Sequence, residues 1–204
     1  MTSPWKLGAL AVFAVLPLLA NAGAIDRLHR FLASAHTLQA EFAQTVIAKD
    51  RSQQSSGAVS IARPGKLRWQ IEQPYPQLII SNGEKIWIYD SELQQVTVRQ
   101  ASQAIGASPA ALLAGSNDLE ANFTLSEAGE SGGLLWVKAV PKTDDSGFEA
   151  VRLGFAGDDL AAMELQDSFG QTTRIHFSRL KRNPSLPPGL FQFTPPAGVD
   201  VVGE

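Results

Sequence analysis

Three observations predict a mainly β chain, built on one large curved antiparallel sheet of about eleven strands with short helices over it. Runs of alternating apolar and polar residues recur at roughly ten-residue intervals, as in a meander of hairpins. Strong turn pairs separate them, above all Pro64-Gly65 and Asn82-Gly83. Only two or three short stretches carry helical spacing, too few to form a layer of their own. A sheet of this size tends to roll toward a barrel. Short helices are then best used as a plug or lid, and a curved sheet under an apolar lid encloses a hydrophobic cavity.

The first residues read as an address. Lys6 is the only charge before Asp26, and Leu7 to Leu19 is an apolar run of 13 residues, too short to span a bilayer as a helix. Ala20-Asn21-Ala22 offers small residues at cleavage spacing. Residues 1–22 are therefore expected to be a secretory signal peptide, with an alternative end at 24 through Ala22-Gly23-Ala24. Residues 23–204 fit a single domain.

The net charge is −3, so no basic excess points to nucleic acid. The 204 residues contain no cysteine, which excludes disulfides, thiolate metal sites, a cysteine nucleophile and lipid attachment at a cysteine. An exported, unanchored, disulfide-free chain is expected in the periplasm of a bacterium with two membranes.

Ile25 to Ala35 spaces Ile25, Leu28 and Leu32 three and four apart and predicts a short amphipathic helix. Thr37 to Ala48 alternates through Leu38, Ala40 and Phe42 as a strand. Lys49 to Ser56 is polar and reads as a hairpin loop. Five strands follow: Gly57 to Ala62, Leu67 to Gln73, Gln77 to Ser81, Lys85 to Asp90 and Gln94 to Arg99. In Leu67 to Gln73, Leu67, Trp69 and Ile71 share one face and Arg68, Gln70 and Glu72 the other. Arg63 stands at the rim, where Pro64-Gly65 turns the chain.

The pattern breaks at Gln100. Ser108 and Pro109 suit the N-cap and first turn of a short helix through Ala114, which must lie over a face or mouth of the sheet. Strands resume at Asn122 to Glu127, Leu134 to Val140, Phe148 to Phe155, Leu160 to Gln166 and Thr172 to Leu180. Leu190 to Phe193 reads as a last short strand, stopped by Pro195-Pro196 before a tail.

No catalytic constellation is visible. His29, His36 and His176 are scattered over a helix, a polar turn and a strand. The chain has no Gly-x-Ser-x-Gly, no His-Glu-x-x-His and no glycine-rich phosphate loop. Asp144-Asp145 and Asp158-Asp159 each neighbour a glycine and read as turn acids. The chain is expected not to be an enzyme and to need no cofactor or metal. By themselves, Phe42, Trp69, Trp87 and Trp136 read as core aromatics and Arg63 as a surface residue.

An ordered set of motifs changes that balance. These are Leu38-x-Ala40-x-Phe42-x-Gln44 after a short helix, Arg63-Pro64-Gly65-Lys66-Leu67-Arg68-Trp69, and Ser81-Asn82-Gly83-Glu84-Lys85-Ile86-Trp87-Ile88-Tyr89. Ser108-Pro109-x-x-Leu112-Leu113 and Phe191-x-Phe193-x-Pro195-Pro196-x-Gly198-Val199 complete it. Together they resemble the periplasmic outer-membrane lipoprotein carrier family of the LolA type over nearly all of residues 23–204.

The resemblance implies an unclosed β-barrel whose helical lid covers a cavity for lipoprotein acyl chains. It implies cargo received from an inner-membrane ABC-type lipoprotein-releasing complex and delivered to an outer-membrane lipoprotein receptor, by a carrier expected to be monomeric. It makes Arg63 the residue that latches the lid through hydrogen bonds to lid carbonyls. Acyl-chain or lid contacts are then expected at Leu28, Leu32, Leu38, Phe42, Leu67, Trp69, Ile71, Trp87, Leu112 and Leu113. The chain departs from the family at Leu67, where phenylalanine is common, and at Ala110, where a large apolar residue can occur. Three rivals are a periplasmic lipid or lipoprotein sensor of similar fold, a lipid-modifying or hydrolytic enzyme, against which the scattered histidines and absent nucleophile motif weigh, and a periplasmic small-ligand binder.

Overall fold

The computed structural model describes residues 23–49, 51–101, 113–115, 119–143 and 147–203. The expected signal peptide, the Ser108-Pro109 N-cap, Ala110, Leu112 and Asp144-Asp145 lie outside them.

Helix α1 spans Ala24–Ser34, followed by strands β1 (Thr37–Ala48), β2 (Arg51–Ala62), β3 (Lys66–Gln73), β4 (Gln77–Asn82), β5 (Lys85–Asp90) and β6 (Gln95–Gln100). After the interruption come β7 (Phe123–Ser131), β8 (Leu134–Pro141), β9 (Phe148–Ala156), β10 (Asp159–Asp167), β11 (Thr172–Arg182) and β12 (Asp200–Gly203). All twelve form one sheet in the order β12-β6-β5-β4-β3-β2-β1-β11-β10-β9-β8-β7. Two meanders are thus joined where β1 pairs with β11, and the outermost strands β12 and β7 do not pair with each other. The sheet is unclosed, as expected.

The inner face carries the main core. Leu38, Ala40 and Phe42 of β1 face Ile61, Val59 and Gly57 of β2. They join Leu67, Trp69, Ile79 and Ile86 from one half and Phe123, Val137, Val151, Leu153, Phe155, Met163 and Ile175 from the other. Helix α1 lies against β7, β8 and β9 and buries Ala24, Leu28, Phe31 and Leu32 in that core. Of the stripe expected from spacing, Leu28 and Leu32 are buried as predicted, while Ile25 is only partly buried at its edge and Ala24 and Phe31 take the remaining inner positions. Gly57 is required where it stands: a Cβ there would lie 1.9 Å from the Gln70 carbonyl oxygen, beside an irregularity in the β2–β3 register.

The outer face has its own smaller apolar cover. Ile80, Val96, Val98 and Phe191 are buried outside the main core, and Phe193 packs on Trp87 and Tyr89 at 6.3 and 5.8 Å between ring centroids. In the other half the outer face carries ion pairs, as in Arg152 and Arg174 on Glu164 at 2.7 and 3.4 Å, beside the buried Trp136, whose ring lies 4.7 Å from the Arg152 guanidinium.

Three sequence expectations need correction. Residues 51–56, expected within a loop, are the first half of β2 and pair with β1 from Ala48↔Arg51 to Ala43↔Ser56. Their side chains are polar and mostly exposed, but a strand paired through its backbone needs no apolar face once water can cover it. Leu190 to Phe193 is not a strand. Pro188–Phe191 is a 3-10 turn, because prolines fix φ and cannot donate to a ladder. The tail instead supplies β12, parallel to β6, which takes the place of the expected Leu190 to Phe193 strand as the last strand of the sheet.

Candidate functional site

The site is built around the corner between β2 and β3. Gly65 turns it with φ +79°, a conformation glycine adopts without the penalty a Cβ would bring. Ser81, buried on β4, donates its hydroxyl to the Gly65 carbonyl at 2.7 Å and accepts from the Gly83 N–H at 3.2 Å. The corner is therefore fastened to the neighbouring Asn82-Gly83 hairpin.

From this corner Arg63 reaches over the inner face. Its Nε donates to the Leu113 carbonyl at 2.9 Å, and its Nη1 to the carbonyls of Ala35 at 2.9 Å and Leu32 at 3.3 Å. The guanidinium lies 5.5 Å from the centroid of the Phe31 ring, within range of a cation–π attraction. Its Nη2 is buried and finds no partner among the described residues. The Gly65 N–H adds a 2.6 Å bond to the Ala114 carbonyl. One corner thus holds both the C-terminal end of α1 and the segment at 113–115.

The physical chemistry of these bonds is consistent. The last carbonyls of a helix have no intrahelical donors, and a cation there complements the helix dipole. A guanidinium offers several donors in a fixed fork, so one side chain can serve three carbonyls. No carboxylate compensates Arg63 among the described ion pairs. Burial accordingly lowers its pKa to about 10. It stays charged at neutral pH, in a closed arrangement that carries a desolvation cost.

Other bonds seat α1. Asn183 donates its side-chain amide to the Ser34 carbonyl at 2.8 Å. Arg27 donates to the Gly157 carbonyl at 2.6 Å and Arg30 pairs with Asp158 at 2.9 Å. The Arg30 hydrogen bond and charge hold the Asp158 carboxyl below its ordinary value. These tethers are solvent-exposed, so α1 is held mainly by its buried face and by Arg63.

Most residues expected at the site come together. Leu28, Leu32, Leu38, Phe42, Leu67, Trp69 and Leu113 are all buried in one cluster, and Ile71 packs at its edge. Phe42 stacks on Trp69 at 4.0 Å, with Phe177 edge-on to the same indole at 6.4 Å. Trp87 does not join them. Strand β5 places it opposite Ile80 and Val98 on the outer face, because Ile86 and Ile88, one residue to either side, take the inner positions. Ile71 also borders a cavity of about 430 Å³, with Gln44, Gln53, Tyr75 and Glu92 among its lining.

Sequence reasoning missed Phe31, Ala35 and Ser81. Phe31 was within reach, since it stands three residues after Leu28 on the same helical stripe. Ala35 contributes only a backbone carbonyl, and no side-chain pattern marks it. Among the described residues, no three histidine, aspartate or glutamate side chains gather as metal ligands would.

Comparison with known proteins follows the same lines. The profile of the family described as "Outer membrane lipoprotein carrier protein LolA" matches residues 33–194. A protein named outer-membrane lipoprotein carrier protein from Dechloromonas aromatica is 65% identical over 98% of this chain and 97% of its own. One of the same name from Nitrosospira multiformis is 54% identical over 90% of each chain, and one from Neisseria gonorrhoeae is 45% identical over 91% and 89%. Among solved structures, a conserved protein from Thermus thermophilus superposes with a TM-score of 0.54 at 14% identity, covering 87% of this chain and 95% of that one. A DUF1329 family protein from Desulfovibrio piger gives 0.51 at 12% identity, covering 82% and 95%. At such identities these two structures speak to the fold alone.

Proposed function

The chain belongs to the outer-membrane lipoprotein carrier family of the LolA type, and from that premise we propose how it performs the carrier role. It works in the periplasm as a soluble chaperone and shields the acyl chains of lipoproteins on the inner face of its sheet. It accepts them from an inner-membrane ABC-type releasing complex and delivers them to an outer-membrane receptor. No covalent step is involved.

The observation that carries this reading is the bonding of Arg63 to the carbonyls of Leu32, Ala35 and Leu113. The apolar surface under α1 is the binding surface. Helix α1 and the segment at 113–115 are the lid, and Arg63 is its latch. Exposed acyl carbon costs about 0.8 kcal/mol per CH2, so a single long chain in water costs on the order of 10 kcal/mol. Transfer of that chain onto the inner face removes this barrier. The opposite danger is cargo held too tightly to be released. A latch that must break on loading and re-forms on delivery offsets part of the burial gain, and so lowers the net affinity.

The direct test is lipoprotein release in vitro. Inner-membrane vesicles carrying labelled outer-membrane lipoproteins and their releasing complex are mixed with purified protein. The expected result is labelled lipoprotein in the soluble fraction as a one-to-one complex. A folded protein that solubilises none refutes the carrier reading.

A further inference from the structure

The N-terminal end of α1 is satisfied by a residue about a hundred positions away. Gly23 is the N-cap and offers no side-chain cap of its own. The Glu127 carboxylate on β7 takes that place, accepting from the Ala24 N–H at 2.9 Å and the Ile25 N–H at 3.0 Å. A Cβ built on Gly23 would lie 2.4 Å from Glu127 Oε1, which sets the Gly23 nitrogen within about 5 Å of that oxygen. Among the described ion pairs, no lysine, arginine or histidine pairs with Glu127. The carboxylate thus faces a helix start without a side-chain counter-ion.

The two cleavage frames in the sequence have different consequences here. A cut after Ala24 removes a residue that is 1% exposed in the core. It also removes the Gly23 carbonyl, which accepts the first helical bond from the Arg27 N–H at 3.1 Å. A cut after Ala22 keeps both. We propose that the chain is processed between Ala22 and Gly23, and that Glu127 receives the α-ammonium group this creates.

A signal peptidase adds water across the bond between the Ala22 carbonyl carbon and the Gly23 nitrogen. Ala22 leaves as a carboxylate, and the Gly23 amine takes up a proton. That new positive charge would oppose the helix dipole if left alone. Glu127 neutralises it while keeping its bonds to Ala24 and Ile25. Processing thereby turns a helix cap into a cap and a counter-ion together, and tightens the seating of α1 on β7. This goes beyond the carrier reading, since a protein that carried no lipoprotein would still begin at Gly23.

The test uses the full chain expressed and exported in a bacterium with two membranes. N-terminal sequencing and intact mass are expected to show Gly23 as the first residue; a start at Ile25 or elsewhere overturns the proposal. The processed protein and its Glu127→Gln variant are then compared with a free and with a selectively acetylated N-terminus. Acetylation is expected to lower the urea midpoint of the unaltered protein by about 0.3 M and to raise that of the variant slightly, because it removes a charge that there stands alone against the helix dipole. An equal effect on both, or none on either, refutes the role of Glu127.

Discussion

Replacing Arg63 by leucine removes three hydrogen bonds and one buried charge. A bond from a charged donor contributes about 1.5–3 kcal/mol, and one of the three is long at 3.3 Å. Against them stands burial: the desolvation that lowers the Arg63 pKa to about 10 corresponds to a cost of about 3 kcal/mol. The balance leaves a latch worth about 2 kcal/mol, small enough to open and large enough to matter. Without it, the empty closed state loses its advantage over the loaded state. Cargo affinity then rises by about 30-fold and hand-off slows accordingly. The assay loads unaltered and Arg63→Leu proteins with labelled lipoprotein from inner-membrane vesicles, isolates the complexes and adds receptor-bearing outer-membrane vesicles. Equal uptake with strongly impaired delivery is the expected pattern. Arg63→Lys, whose single ammonium cannot fork to three carbonyls, should fall between. Delivery by Arg63→Leu at the normal rate would refute the latch.

Other substitutions separate the site from its supports. Trp69→Ala should weaken both stability and lipoprotein uptake, whereas Trp87→Ala should lower the melting temperature through its lost contact with Phe193 and leave uptake unchanged; a loss of uptake in Trp87→Ala would contradict its outer placement. Gly57→Ala forces a Cβ against the backbone of Gln70 and should cost about 2–3 kcal/mol, read as a fall of roughly 6 °C in thermal unfolding. The carboxyl of Asp158 is held below its ordinary value of 3.8 by the bond and charge of Arg30. Its contribution to stability is therefore present above pH 3.8 and lost as pH falls through the lowered folded value. Urea midpoints of unaltered and Asp158→Asn proteins should differ slightly at pH 7 and converge at pH 2.

Much of this molecule was legible before any tertiary contact was known. The period-two alternation of Leu38, Ala40 and Phe42, and of Leu67, Trp69 and Ile71, identifies strands and states which residues share a face. The Pro64-Gly65 and Asn82-Gly83 pairs mark corners because few other residues accept those backbone conformations. The stripe through Leu28 and Leu32 predicts a helix with one buried side. These are local properties, written within a few residues of one another. Family resemblance then pointed to Arg63, which composition alone would place on the surface.

Only the tertiary structure decided the rest, and each case has the same cause. Alternation says that Trp87 opposes Ile86 and Ile88, but all three are apolar, so the winning face depends on what packs against it; Phe193, over a hundred residues later, takes the outer one. The polar start of β2 is a strand because β1 offers it a backbone ladder, and β12 exists because the edge of β6 is free to accept it. The carbonyls that receive Arg63 and the carboxylate that receives the start of α1 are joined to their partners across 28 to 103 positions of chain. A carbonyl has no sequence signature, and an isolated glutamate does not announce a helix end. Such pairings are settled when the sheet curls and brings distant backbone groups within hydrogen-bond range, where leaving them unpaired would cost more than ordering the chain that satisfies them.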